Sequence, residues 1–418
     1  MFKKIMRILL IVIGVVVIAL IGGYIYISSA GFPTYDVQQV DVTIEVTPER
    51  VAQGKRLSNL MCNHCHMNPA TRTLAGRKMH DAPAEFGEIY SRNITKHPEY
   101  GIGKWSDGEL LFFLRTGIHP HRDGEYVPPW MPKYPRVSDE DLYSLIAFLR
   151  SNEPEVTSTE RENVPTEPSF LSKMLTRVGA FGPFEYPKSS VPHPDTTDMM
   201  VFGRYMANDL FECFSCHSAD FKTNRYDDPT QSEGYYGGGN PLLDVNAKIV
   251  YSSNITPHET YGIGDWTDEE LFVALKEGFR PDGSLIAYPM LRTKSLKDNE
   301  VRALMTFIKS VPALATQVPD NEAYPVPAGA SAGEKLYIEK GCITCHGTTG
   351  IGLADLRKAY MKYPADTLMM DVIANPEKYY PHTIMPVWKN RLSEQELRDV
   401  AKYVHELGVS ESEKAAMN

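Results

Sequence analysis

The stretch Cys62-Asn63-His64-Cys65-His66 decides how this chain reads. It recurs as Cys213-Phe214-Ser215-Cys216-His217 and again as Cys342-Ile343-Thr344-Cys345-His346. The three copies use all six cysteines of the 418 residues, so no thiol is left for a disulfide. C-x-x-C sets two thiols one helical turn apart, and the adjoining His adds an imidazole to the same turn. That is the attachment sequence of c-type haem: the thiols add to two porphyrin vinyl groups and the His supplies the proximal nitrogen to iron. Two C-x-x-C pairs can also build an all-cysteine zinc site, and a single pair can be a redox dithiol. Neither alternative explains a His directly after every pair. The reading is three covalently bound haem c groups, attached through Cys62, Cys65, Cys213, Cys216, Cys342 and Cys345, with His66, His217 and His346 as iron ligands.

A sixth ligand separates an electron carrier from a haem with an open catalytic position. A methionine in that place raises the reduction potential. The chain offers one after each motif, in a loop before a last helix: Met131 in VPPWMPKY, Met290 in IAYPMLRT and Met385 in HTIMPVWK. Adjacent prolines keep these segments out of helix. Met290 lacks the following proline that Met131 and Met385 have. The competing ligands are His119 or His121 in the first unit and His382 in the third.

Three repeated units follow. Each opens with a short helix holding a glycine (Gly54, Gly203, Gly333) and closes with an amphipathic one, DEDLYSLIAFLR, DNEVRALMTFIK and EQELRDVAKYVH. Leu142, Leu145, Ile146 and Leu149 show the spacing of one buried helical face; Val301, Leu304, Met305 and Ile308 repeat it, as do Leu397, Val400, Ala401 and Val404. Ser138 and Ser393 read as N-caps, with Asp141 and Glu396 three positions on. The glycines are expected to let first and last helices cross closely, against Phe148, Phe307 or Tyr403. The fold class is mainly α: three tandem class I cytochrome c-type domains after an N-terminal transmembrane helix. The division is 1–30 anchor, 45–152 first domain, 153–195 linker, 196–316 second domain, 317–327 linker and 328–418 third domain. The first linker is rich in Pro, Ser, Thr and Glu, and its apolar piece SFLSKMLTRVGAFGPF is expected to dock on a neighbouring surface.

Units one and two share a further stretch, NITKHPEYGIGKW (93–105) and NITPHETYGIGDW (254–266). Gly76 and Gly237 each precede it by the same interval, so the middle of both units reads as one duplicated structure, with an insertion around NRYDDPTQSEGYYGG. Ser106 with Glu109, and Thr267 with Glu270, read as capping boxes of the next helices, closed by Gly117 and Gly278. A glycosylation sequon and a phosphate-binding G-x-G are weaker readings, since GIGKWS is not the G-x-G-x-x-G pattern. The preferred reading is a haem-pocket wall, in which Trp105 and Trp266 donate their indole N–H to haem propionates, with Asn and Thr as further donors. Aromatic packing alone is the alternative. The third unit lacks the stretch; its Trp388 follows the Met instead.

Lys3, Lys4 and Arg7 precede an uncharged run from Ile8 to Ile27, enough for one bilayer crossing. Tyr24 and Tyr26 sit where interfacial aromatics belong, and the basic end places the rest of the chain outside the cytoplasm. A cleaved signal peptide, ending at Ser28-Ser29-Ala30, is the rival, although the run exceeds a typical signal core. A formal net charge of −10 argues against nucleic acid as partner.

At these residues the chain resembles the triheme cytochrome c subunits of membrane-bound bacterial alcohol, aldehyde and gluconate dehydrogenases. The resemblance is carried by CNHCH with IYSRNITKHPEYGIGKWSDGEL and WMP, CFSCH with VYSSNITPHETYGIGDWTDEEL and YPM, and CITCH with IMP, over roughly residues 50 to 410. It implies an electron-transfer protein, not itself a catalyst. Its partner would be a periplasmic dehydrogenase subunit, its setting the inner membrane through one N-terminal helix, and its acceptor the respiratory chain. Two features depart from the pattern. Those subunits are anchored near the C-terminus, whereas here the tail SESEKAAMN is polar; and His97 and His258 stand where an acidic residue is common. A stand-alone shuttle from a quinol-oxidising complex to an oxidase, and a haem peroxidase-like enzyme, are the alternatives.

Overall fold

The computed structural model describes residues 2–80, 82–290, 292–380 and 383–408. His382 and the polar tail from 409 lie outside the described residues. The architecture is mainly helical. Among the described residues, β-structure is confined to short antiparallel two-stranded pairs and isolated bridges.

Helix α1 (Phe2–Ser29) buries none of its residues and is long and apolar enough to cross a membrane. Its 28 residues run to about 42 Å, more than the ~30 Å of a bilayer core. Unit one follows with α2 (Pro48–Met61), α3 (Asn63–His66), α4 (Asp107–Thr116) and α5 (Asp139–Arg150). Thr47 caps α2 by accepting from Arg50 N, with Pro48 at the first helical position, where a missing N–H costs nothing. The linker carries α6 (Phe170–Arg177). This helix docks at the exit of α1: the Phe170 and Tyr24 rings lie 4.9 Å apart, Lys173 Nζ donates to Ser28 O at 2.7 Å, and the Arg177 guanidinium sits over Tyr26. The apolar linker piece therefore docks on the anchor.

Unit two contains α7 (Met199–Tyr205), α8 (Cys213–His217), α9 (Asp268–Glu277) and α10 (Asp298–Ile308), and a hairpin pairing 241–243 with 249–251. Unit three contains α11 (Ala332–Glu339), α12 (Cys342–His346), α13 (Ala359–Lys362), α14 (Asp366–Ala374), α15 (Pro376–Tyr379) and α16 (Glu394–Glu406).

In every unit the first and last helices cross at the glycine that the sequence singles out. A Cβ on Gly54 would lie 1.8 Å from Ser144 O and 2.8 Å from Phe148 Cβ. At Gly203 the corresponding distances are 2.0 Å to Ala303 O and 3.0 Å to Phe307 Cβ; at Gly333 they are 2.0 Å to Asp399 O and 2.8 Å to Tyr403 Cβ. Only a residue without a side chain permits this approach. The faces of α5 and α10 assigned to the core are buried, whereas Leu397 of α16 is half-buried.

Units one and two share one continuous core, which contains Leu57, Leu145, Phe148, Phe202, Met206, Val301 and Phe307; unit three builds its own around Trp388, Val400 and Ala401 and borrows Phe279 from unit two. The junction of units one and two rewrites a cap. Ser138 Oγ accepts from Asp141 N, but the Asp141 carboxylate does not close the box onto Ser138 N. It accepts instead from Tyr205 Oη of unit two at 2.6 Å, and the same hydroxyl serves Ser138 N. Arg56–Glu300 and Arg136–Asp209 ion pairs flank this contact.

Candidate functional site

Each Cys-x-x-Cys-His motif forms a single helical turn, α3, α8 or α12. In unit one Cys62 O accepts from both Cys65 N and His66 N, at 3.1 and 2.8 Å, which brings both thiols and the imidazole to one turn. His66 Nδ1 lies 2.7 Å from Arg92 O, and His217 Nδ1 lies 2.8 Å from Ser253 O. A carbonyl only accepts, so Nδ1 carries the proton in both. Nε2 is left as the unprotonated nitrogen, which is the tautomer an iron ligand needs. Burial also holds the His66 and His217 imidazoles below their usual range, favouring the neutral form. His346 Nδ1 has no such partner among the described residues.

The thiols do not suit the rival chemistries. Burial pushes Cys62, Cys213 and Cys342 up to about 12 and Cys345 to about 11, opposite to the lowered range of a reactive redox pair. Among the described residues no group of three or more His, Cys, Asp or Glu side chains converges to hold a free metal ion. The donor sets fit covalent haem c, one per motif.

The methionine segments are turns, as their prolines require. Met131 N donates to Pro128 O and Met290 N to Ala287 O, both at 3.2 Å, while Met385 N donates to Thr383 Oγ1. Met131 packs against the same core as Cys62, and Met385 against the same core as Cys342. Met290 stands apart, 38 % exposed and outside both cores.

The competing ligands of unit one have other contacts. His121 pairs with Glu109 at 3.2 Å. His119 lies against Trp105 and Phe113, with ring centroids at 4.8 and 5.7 Å; burial, then the charges of Arg122 and Arg92, push it down to about 3. Trp105 stands directly before the N-cap Ser106, and its ring meets Phe113, His119 and His121. Trp266 holds the same place before Thr267 and packs against the shared core. Both capping boxes and both left-handed closing glycines, Gly117 and Gly278, are present.

The Asn and Thr of the duplicated stretch differ from the reading as propionate donors. Asn93 Nδ2 donates to Thr159 O and Arg161 O, and its Oδ1 accepts from Thr95 N and Thr95 Oγ1. Asn254 repeats the arrangement with Leu314 O, Thr316 O and Thr256. Their hydrogen-bonding capacity is spent tying the loop to the strap that leaves each last helix. Asn93 and Asn254 are 2 and 4 % exposed, which also closes the sequon reading. The G-x-G glycines answer to crowding: a Cβ on Gly101 would lie 2.2 Å from Thr95 O, and one on Gly262 2.1 Å from Thr256 O. His97 and His258 act as turn caps. Each Nδ1 accepts two backbone N–H groups, and each ring stacks on the following Tyr100 or Tyr261. An imidazole nitrogen accepts there as a carboxylate would.

The glycine equivalent to Gly76 is Gly238, not Gly237. Gly76 N donates to His66 O, and it is Gly238 N that donates to His217 O; both residues have positive φ. Counting back from Asn254 missed this because the return in unit two is one residue shorter.

Replacing Asn254 with alanine strands two carbonyls and two donors of Thr256. We expect a loss of about 3 kcal/mol, from roughly 1–3 kcal/mol per buried group left unpaired. Chemical denaturation followed at the haem absorption measures it, and a midpoint equal to the parent's contradicts the tie.

Sequence reading missed Arg92 and Arg122. Arg92, directly before the duplicated stretch, supplies the carbonyl for His66, and its charge and that of Arg122 both act on His119. In unit two Ser253 stands at the Arg92 position, and Arg280 reaches its hydroxyl at 3.5 Å. The signal was an arginine abutting the repeat in one copy and absent from the other. Guanidinium groups at these places suit the two carboxylates of a haem.

Residues 330–408 match the family model described as cytochrome c. Over almost its whole length the chain is similar to cytochrome c subunits of dehydrogenases. It is 26 % identical over 415 residues to the cytochrome c subunit of a quinone alcohol dehydrogenase of Gluconobacter oxydans, covering 90 % of this chain and 81 % of that one. It is 30 % identical over 325 residues to the fructose dehydrogenase cytochrome subunit of Gluconobacter japonicus, covering 70 % of this chain and 63 % of that one. With the gluconate 2-dehydrogenase cytochrome c subunit of Pantoea cypripedii the identity is 25 % over 371 residues, covering 82 % of each.

Proposed function

We propose that this chain is a membrane-anchored triheme c-type cytochrome that carries electrons from a periplasmic dehydrogenase toward the respiratory chain. Three tandem class I cytochrome c-type domains hold the groups, at Cys62/Cys65, Cys213/Cys216 and Cys342/Cys345. His66 with Met131, His217 with Met290 and His346 with Met385 would hold the three irons. The observation that carries the reading is the one-turn Cys-x-x-Cys-His helix, with Nε2 the free ring nitrogen of His66 and His217.

Bound haem c supplies reversible one-electron chemistry at iron. The chain's own residues hold it in place and set its surroundings. Arg92 O and Ser253 O fix the imidazole tautomers and ring directions. The shared core of units one and two keeps their sites at a fixed separation. Trp105 and Trp266, with Arg92, Arg122 and Arg280, would meet the propionates. Helix α1 crosses the inner membrane with its basic end in the cytoplasm, and the three units face the periplasm. The names of the relatives, each a cytochrome subunit of a dehydrogenase, support a dehydrogenase subunit as electron donor.

Single Met131→Ala, Met290→Ala and Met385→Ala replacements test the ligand set. Each is expected to remove one haem's share of the weak far-red absorption that reports thioether–iron bonding, and to turn that haem high-spin. A high-spin haem already present in the unaltered protein would favour a peroxidase-like site, and the exposed Met290 is where it would lie. Affinity capture from native membranes identifies the partner. Recovery of a dehydrogenase supports the reading, and recovery of an oxidase alone would point to a shuttle.

A further inference from the structure

The residue two places after the methionine is basic in both duplicated units: Lys133 after Met131, and Arg292 after Met290. The two positions are structurally equivalent. The next residue donates its N–H back to the preceding helix in each case, Tyr134 to Leu114 O and Thr293 to Leu275 O. Each stem passes the closing glycine of that helix: a Cβ on Gly117 would meet Lys133 Cε at 2.3 Å, and one on Gly278 would meet Arg292 Cγ at 2.7 Å. Both side chains belong to buried residues.

Their head groups go to different places. Lys133 Nζ donates to Pro128 O at 2.7 Å and so closes its own methionine turn. Arg292 leaves unit two. Its Nε donates to Ile384 O at 2.7 Å and its Nη2 to Thr383 O at 3.0 Å and to Met385 O. Three successive carbonyls of the unit-three methionine segment thus converge on one guanidinium. A planar fork with several donors can serve three acceptors at once, which makes arginine the fitting residue here.

The Cys342–His346 turn of unit three is held from unit two as well. Asn246, in the unit-two hairpin, donates to Ile343 O inside the Cys342–His346 turn and accepts from Thr348 N just beyond it. Trp388, three residues after Met385, packs edge-on against Phe279, over which Arg391 also lies.

We infer that Arg292 is the positioning residue for Met385: unit two, through a residue of its own methionine segment, sets the axial thioether of unit three. Unit three has no lysine of the Lys133 kind on its own segment; its Met385 is followed by Pro386 and Val387. The inference rests on the reading of Met385 as an iron ligand.

The test uses the full-length, haem-loaded protein and compares Arg292→Gln and Arg292→Lys with Met385→Ala and Met290→Ala. The two methionine variants first identify which part of the far-red band and which redox transition belong to each haem. Arg292→Gln is expected to weaken the band component that Met385→Ala abolishes and to lower the midpoint of that haem alone. Arg292→Lys, which keeps the charge with a single donor group, should restore it in part. An unchanged far-red band in Met385→Ala overturns the ligand reading itself. A normal Met385 component in Arg292→Gln, beside a clear loss in Met385→Ala, overturns the role of Arg292. A change confined to the Met290 component also overturns it, because Arg292 would then act only within its own unit. Full covalent loading by denaturing mass spectrometry, with an unaltered Met131 component, shows that the variants have folded.

Discussion

A chain with Cys342 and Cys345 both replaced by alanine is expected to carry two covalent haems where the parent carries three. Intact mass under denaturing conditions reads this directly, since thioether-linked haem survives unfolding while a coordinated metal or loosely held group does not. The effect is all-or-none at one motif because both thiols that make the linkage sit on the single turn α12. The deficit should stay local. Units one and two share a core in which Cys342 has no part, so the far-red components assigned to Met131 and Met290 should persist. A parent mass lacking three haem increments would remove the basis for the whole functional reading. A double variant that loses more than one haem would show that unit three templates the others.

The second large effect lies in packing. Gly203→Ala is expected to destabilise the body formed by units one and two by about 3 kcal/mol, within the range for overpacked cores. Alanine in a helix interior normally gains roughly 1 kcal/mol over glycine. Here the new methyl would lie 2.0 Å from Ala303 O and 3.0 Å from Phe307 Cβ, so α7 and α10 must separate. Separation also displaces Tyr205, two residues on, whose hydroxyl bonds Asp141 and Ser138 of unit one. The melt of both units should therefore shift together, with unit three less affected. Gly182→Ala is the control, because nothing lies within 4 Å of a Cβ there. An unshifted melting temperature for Gly203→Ala would mean that the helices do not cross as described.

Much of this was legible along the chain. The chemistry of attachment needs five consecutive residues, so three motifs announced three sites. Caps are equally local, and Ser106 with Glu109, Thr267 with Glu270 and Ser393 with Glu396 all formed as their spacing implied. The crossing glycines were readable because a glycine at the same place in the first helix of three repeats, paired each time with an aromatic on the last helix, has one steric meaning. Other features depended on partners distant in sequence. Asn93 could not be known to bond Thr159 O and Arg161 O before the strap was seen lying across it. Asp141 read as half of a cap and became the acceptor for Tyr205, 64 residues away. Lys133 and Arg292 occupy equivalent positions, yet one bonds its own turn and the other a neighbouring unit. Backbone geometry and covalent chemistry act between neighbours and are written in order along the chain. Which carbonyl a long basic side chain satisfies, and which units share a core, depends on surfaces that exist only once the units have packed.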